Sequence, residues 1–206
     1  MPSRLVTYSA GGVAVAALAG VGVFFALQER ESAAAMCNAG TVAGDMGGPF
    51  ELVSETGETV TSADVITEPA LIYFGYTFCP DVCPLDTVRN AEAVEILSER
   101  GMSVKPIFVS IDPARDTPEV VDDFTANLHP DMLGLTGSDE QVRAASQAYR
   151  TYFKRHDDDD DEYYLVDHTT FNYLVMPGDE MVGFFRRELS GGQLADQVQC
   201  VLENTS

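Results

Sequence analysis

With 206 residues, the chain is long enough for one well-cored domain behind an N-terminal segment and too short for two. Its 12 lysines and arginines stand against 33 aspartates and glutamates, a formal net charge of −21. Such a balance repels phosphates and excludes a nucleic-acid partner. It favours encounter with basic proteins or cationic metal donors, although most of these carboxylates need do no more than keep the surface soluble.

Residues 5–27 carry no charged side chain and are rich in Ala, Val and Gly. About 20 apolar residues cross a hydrocarbon core as a helix, whereas the apolar part of a secretory signal spans only ~7–15. The pattern predicts a retained single transmembrane helix within residues 1–30, rather than a leader cleaved after Ser32-Ala33-Ala34-Ala35. Arg4 and the amino terminus favour the cytoplasmic side of the inner membrane, so the rest of the chain faces the periplasm or an equivalent space. Gly12, Ala16 and Gly20 recur every four residues, either to pack two anchors together or by composition alone. Arg4 and Arg30 offset Glu29 and Glu31, so the exported part carries the whole −21.

Residues 31–48 read as a linker, with Gly40, Gly44, Gly47 and Gly48, and residues 49–206 as the domain. Residues 49–61 predict a hairpin around Glu55-Thr56-Gly57. An apolar run, Ala70-Leu71-Ile72-Tyr73-Phe74, predicts a buried strand up to Tyr76. Residues 86–100 predict a helix with Val88, Ala91, Val94, Ile96 and Leu97 on its apolar face and Gly101 at its end. Residues 104–111 predict the next buried strand, and strand–helix–strand order implies a right-handed crossover with parallel pairing. Pro118 and Glu119 open a helix to about Leu128. Leu133-Gly134-Leu135 is a short strand, and Ser138 to Gln141 is a capping-box start for a helix towards Phe153. The acidic run 157–162 reads as an open solvated loop. Strands over 163–166, 170–176 and 181–185 follow, and Gly191-Gly192 precedes a last helix of about ten residues. Alternating strands and helices with a terminal hairpin fit a thioredoxin-like α/β domain.

Chemistry concentrates where the first buried strand ends, in Cys79-Pro80-Asp81-Val82-Cys83-Pro84. A helix beginning around residues 81–84 points free amides and the positive end of its dipole at these sulfurs, which favours a thiolate. Spacing i, i+4 puts both cysteines on one helix face. That arrangement suits one shared soft metal ion or one disulfide. The spacing is not the Cys-x-x-Cys of thioredoxin-type oxidoreductases. A peroxidatic cysteine would sit in Pro-x-x-x-Thr-x-x-Cys, whereas Thr77 is only two residues before Cys79 and residue 72 is Ile72. The other two cysteines, Cys37 and Cys200, lie near the two ends of the exported part. Domain termini often lie close together, so they are either a staple or two unrelated thiols. On pattern alone His168, in an Asp-His-Thr-Thr turn, reads as structural, and His129 and His156 read as ordinary exposed residues.

The segment Phe74-Gly75-Tyr76-Thr77-Phe78-Cys79-Pro80-Asp81-Val82-Cys83-Pro84 resembles the Sco/SenC family of membrane-anchored copper proteins, which help to assemble cytochrome c oxidase. Val109-Ser110-Ile111-Asp112-Pro113-Ala114-Arg115-Asp116-Thr117-Pro118, Gly134-Leu135-Thr136-Gly137 and Tyr164-Leu165-Val166-Asp167-His168 follow in the family's order. The similarity spans roughly residues 48–200. Ala114, where the family often has Glu, and the acidic run before Tyr163 are departures that leave the ligand positions intact.

The resemblance makes Cys79, Cys83 and His168 the metal ligands. Two thiolates and an imidazole suit Cu(I), and Cu(II) with an added donor, although zinc also accepts such ligands. Asp167, Asp112 and Asp81 are candidates to tune the site, with turn or helix-cap roles for Asp167, Asp112 and Asp116 as the simpler alternative. Arg115 either faces the thiolates or pairs with Asp112 or Asp116. The resemblance implies a metallochaperone rather than an enzyme. Its partners would be cytochrome c oxidase subunit II, a periplasmic copper donor and a thioredoxin-like reductant. The alternative is a thiol–disulfide oxidoreductase, with Cys79 and Cys83 as redox-active residues, that reduces the cysteines of the oxidase's dinuclear copper centre.

Overall fold

Burial of β-branched and aromatic runs organises the domain around one sheet. The computed structural model describes residues 34–41, 46–156 and 163–205. The expected membrane helix at 5–27 and the acidic run 157–162 lie outside these described residues, among which no helix is long and apolar enough to cross a membrane. Strands β1 (Glu51–Ser54), β2 (Thr59–Thr61), β3 (Ala70–Gly75), β4 (Lys105–Ser110) and β5 (Leu133–Thr136) are followed by a short ribbon, β6 (Phe153–Arg155) and β7 (Val166–His168). Then come β8 (Asn172–Met176) and β9 (Glu180–Phe185). Seven strands form one sheet in the order β2-β1-β5-β4-β3-β8-β9, and β6 pairs with β7 separately.

The centre of the sheet is parallel, with Ile72 opposite Ile107 and Val109 opposite Leu135. Antiparallel strands extend it on both sides, β8 against β3 and β1 against β5. This is the thioredoxin-like α/β architecture expected, with the N-terminal hairpin as β1–β2 around Gly57, whose φ is +83°. Every residue of β3 is buried, as a strand covered on both faces must be. Leu71 packs with Leu174, Phe185 and the helices on one face. Ile72 and Phe74 belong to an aromatic core with Phe50, Tyr149 and Tyr173 on the other.

The helices are α1 (Ser62–Val65), α2 (Val82–Glu99), α3 (Pro118–Ala126), α4 (Asp139–Ala148) and α5 (Gly191–Thr205). Four residues separate the observed start of α2 from the one expected at Asp86. Pro84 is tolerated because the first turn has no intrahelical amide bond to lose. At its other end Gly101, at φ +80°, donates to Ser98 (2.9 Å) while Met102 donates to Leu97 (2.9 Å), a double closure available to a residue without a side chain. Val88 was expected in the core and is 53% exposed; Thr87 and Asn90 are buried instead. Helix α4 stops at Ala148 rather than near Phe153, because Arg150 adopts φ +49° and Phe153 opens β6. Helix α3 ends two residues before Leu128, and α5 has fifteen residues rather than ten.

The stretch read as a linker is packed against the domain in its described parts. Ala34, Cys37 and Ala39 are buried, the Gly40 amide donates to the Phe184 carbonyl (2.7 Å), and the Gly47 amide donates to Ala148 (2.9 Å). Cys37 and Cys200 are bridged across 163 residues, with Cα atoms 5.7 Å apart, which decides between staple and free thiols. Removing a bridge that closes so long a loop costs about 2–5 kcal/mol. Cys37→Ser should therefore lower the denaturant midpoint of the exported domain while leaving Cys79 and Cys83 able to react. An unchanged midpoint would show that the bridge does not constrain the unfolded chain.

Candidate metal centre

The end of β3 and the start of α2 deliver the two cysteines. Beyond Gly75 the chain turns so that the Cys79 amide donates to the Tyr76 carbonyl (3.3 Å), and the Cys83 amide donates to the Cys79 sulfur (3.3 Å). Gly75 permits the close approach: a Cβ there would lie 2.8 Å from the Tyr73 ring and 3.1 Å from the Cys83 sulfur. Thr77 is held from the side, its amide (3.0 Å) and hydroxyl (2.6 Å) both donating to the carboxylate of Asp116.

His168 arrives from the separate ribbon, where it pairs with Phe153. Its Nδ1 donates to the Thr169 carbonyl (2.9 Å), which turns Nε2 towards the sulfurs, 3.3 Å from that of Cys83. Tyr73 and Tyr76 meet the imidazole edge-on, with centroids 6.2 and 5.9 Å away. One ligand atom each from Cys79, Cys83 and His168 lie within 4.8 Å of one another, and among the described residues no other His/Cys/Asp/Glu group does so.

The two thiols are unequal. The hydrogen bond from Cys83 holds the Cys79 thiol down to about 3 against the opposing cost of burial, with help from His168 and the amides of Cys83 and Asp81. Cys83 is pushed up, first because its proton serves Cys79 and then because it is fully buried. The pair thus favours the thiolate at Cys79 and the proton at Cys83. Burial, reinforced by the neighbouring Cys79 thiolate, pushes the Tyr76 phenol up to about 12. Burial first, then the neighbouring Asp86 carboxylate, pushes Tyr73 up as well.

The candidate carboxylates lie elsewhere. Asp112 is buried, accepts from Tyr164 (2.5 Å) and pairs with Arg115 (2.6 Å), so Arg115 turns to Asp112 rather than to the thiolates. Neither Asp112 nor Asp116 caps the following helix; Thr117 does, accepting from the Val120 amide. Asp116 is buried among Thr77 and Ser110, and desolvation pushes its carboxyl up despite the three hydrogen bonds it accepts. Asp81 is exposed at the start of α2 and makes no capping bond, and Asp167 pairs with a half-exposed His156 (2.8 Å). His129, expected on the surface, is 7% exposed and its Nδ1 accepts the Asp131 amide (3.1 Å) after α3.

Two features were missed in the sequence. Beneath Cys83, the Tyr73 hydroxyl donates to Asp86 (3.1 Å), which pairs with Arg89 (3.1 Å) and Arg187 (3.5 Å). Tyr164 is overlain by the guanidiniums of Arg115 (3.5 Å) and Arg155 (3.7 Å). The Asp86-to-Arg89 spacing was the one available signal for the first.

The family model for SCO1/SenC matches residues 38–203. The chain belongs to the SCO1/SenC family. Within that family it is 46% identical over 197 residues to Protein SenC of Rhodobacter capsulatus, covering 94% of this chain and 89% of that one. It is 38% identical over 155 residues to the human mitochondrial protein SCO1 homolog, covering 74% of this chain and 52% of that longer one. Among solved structures, Arabidopsis thaliana ScoI with copper bound superposes with a TM-score of 0.73 at 35% identity, over 77% of this chain and 98% of that one. Yeast Sco1 with copper bound gives 0.71 at 34% identity, over 76% and 87%.

An ordinary thiol loses its reactive form below about pH 8.5. With its thiol held near 3, Cys79 of this SCO1/SenC protein should be alkylated at a rate that stays flat from neutral pH down to mildly acidic pH. The reduced, metal-free domain should show this by mass spectrometry, with Cys83 modified far more slowly. A Cys79 rate that instead climbs steadily between neutral and alkaline pH would contradict the shared-proton arrangement.

Proposed function

We propose that this SCO1/SenC protein is a metallochaperone that binds copper through Cys79, Cys83 and His168. It delivers that copper to the dinuclear centre of cytochrome c oxidase subunit II. The observation that carries the reading is the meeting of two sulfurs and an imidazole nitrogen within 4.8 Å of one another. The donor set fits a soft ion, Cu(I) through the thiolates and Cu(II) with the imidazole completing the set. Copper rather than zinc is supported by the relatives at 35% and 34% identity that were solved with copper bound.

Each residue has a defined part. Cys79 is the ready ligand, already a thiolate. Cys83 yields its proton when the metal is loaded, and the Thr169 carbonyl keeps the Nε2 lone pair of His168 facing the sulfurs. The thiolates accept copper from a periplasmic donor and pass it on by stepwise ligand exchange. Oxidation of the pair to a disulfide empties the site, and a thioredoxin-like reductant restores it. Residues 5–27 anchor the protein in the inner membrane with the domain in the periplasm. The Cys37–Cys200 disulfide supports such an oxidising compartment.

The inequality of the thiols also favours a second reading, in which the protein reduces the oxidase's cysteines. A thiolate that keeps 9% exposure beside a fully buried partner thiol is the division of labour a dithiol reductant needs. His168 separates the two. For copper delivery, His168→Ala should weaken Cu(II) binding by more than the roughly 10–100-fold typical of losing an outer-shell partner. It should also change the thiolate-to-copper charge-transfer band and impair oxidase assembly as severely as Cys79→Ser and Cys83→Ser. Wild-type oxidase activity in the histidine variant, with both serine variants inactive, would instead identify the reductase.

A further inference from the structure

Three strand ends meet at one buried residue that is not a ligand. Asp116 is 1% exposed. Its carboxylate accepts the Thr77 amide (3.0 Å), the Thr77 hydroxyl (2.6 Å) and the Ser110 hydroxyl (2.5 Å), and its carbonyl accepts the Thr136 hydroxyl (2.7 Å). Ser110 closes β4, Thr136 closes β5, and Thr77 lies two residues past β3 and two before Cys79. The helix that follows is capped by Thr117, so helix capping does not account for Asp116.

On either side of Thr77 the segment ahead of Cys79 is held unequally. Tyr76 is buried, but Phe78 is 53% exposed and is covered by the Arg115 guanidinium at 4.9 Å. Thr77 thus ties the loop to the sheet ends through polar bonds rather than through packing. A carboxylate suits that task, because it accepts on both oxygens and donates nothing. Asparagine in the same place has one accepting oxygen instead of two and no charge, so its NH2 group either faces the Thr77 amide N–H or forces a hydroxyl to accept instead of donate.

We propose that Asp116 is a positioning residue for the metal site, latching Thr77 so that the Cys79 sulfur stays against the Cys83 amide and in reach of His168. The inference rests on the copper reading above and extends it to a residue that touches no ligand atom. A site held to within about 0.5 Å of its binding geometry loses affinity when its supporting shell loosens. Cu(II), which needs the imidazole together with both sulfurs, depends on that register more than Cu(I), which the adjacent thiolates hold by themselves.

The test pairs a metal-free measurement with a metal titration on the exported domain. In Asp116→Asn, amide hydrogen exchange at Thr77 and Cys79 should accelerate about tenfold or more, as loss of a charge-assisted hydrogen bond implies. Exchange in the middle of β3 and β4 should not change. Cu(II) affinity should fall on the order of 10-fold, with a shifted charge-transfer band and a smaller loss for Cu(I). Thr77→Val, which removes one of the latch's donors from the other side, should move both readouts the same way. It also carries the test if Asp116→Asn does not fold. Wild-type exchange at Thr77 and Cys79, or wild-type Cu(II) affinity and spectrum in a folded variant, overturns the latch. A wild-type domain that takes up no copper overturns the proposed function, and the exchange rates then still decide the latch.

Discussion

A single hydrogen bond, from the Cys83 amide to the Cys79 sulfur, marks the junction on which the functional end of this domain depends. It exists because a fully buried strand stops at Gly75 and a helix begins seven residues later, at Val82, with its first amides unpaired. Those amides stabilise charge on Cys79, and the fully buried Cys83 keeps the proton. The sheet end and the helix start thus act together on the two sulfurs. Moving the helix start by a turn would remove the Cys83 amide from the Cys79 sulfur.

The imidazole enters by a different route. His168 ends a two-stranded ribbon that is not part of the main sheet, and its position depends on the β6–β7 register, Phe153 opposite His168. A slip of one residue would turn Asp167 inward and His168 outward. Tyr164 steadies this ribbon from within, donating to Asp112 while Arg115 and Arg155 lie over its ring. Asp112 and Asp116 are thus divided between the two halves of the site, Asp112 serving the ribbon and Asp116 the cysteine loop. At the far end of the chain, the bridge between Cys37 and Cys200 ties the N-terminal stretch to the last helix. The Gly40–Phe184 pairing adds that stretch to the edge of the sheet.

Much of this was legible in the sequence where one physical rule acted alone. The continuous apolar run of β3, the Gly101 stop, the Pro118 helix start, the Ser138 capping box and the pairing of the cysteines with a helix start all followed from local chemistry. Illegible features depended on tertiary context. Val88 looked like a core residue by spacing, but the buried face of α2 turns Thr87 and Asn90 inward, where Asn90 donates to Asn172 (2.5 Å). Phe153 looked like the end of a helix, yet the left-handed Arg150 frees it to begin the strand that carries His168's partner. His168 itself gave no local signal for a ligand. Its role came from resemblance to the family, and its geometry came from the fold.

The central proposal is that the two sulfurs of Cys79 and Cys83 and one imidazole nitrogen of His168, which lie within 4.8 Å of one another, form the copper site. X-ray absorption at the copper edge of the Cu(II)-loaded exported domain tests it most directly. The account predicts two sulfur scatterers and an imidazole in the first coordination sphere, with the imidazole signal lost in His168→Ala. A sphere with one sulfur, or with the imidazole signal retained in that variant, would contradict it.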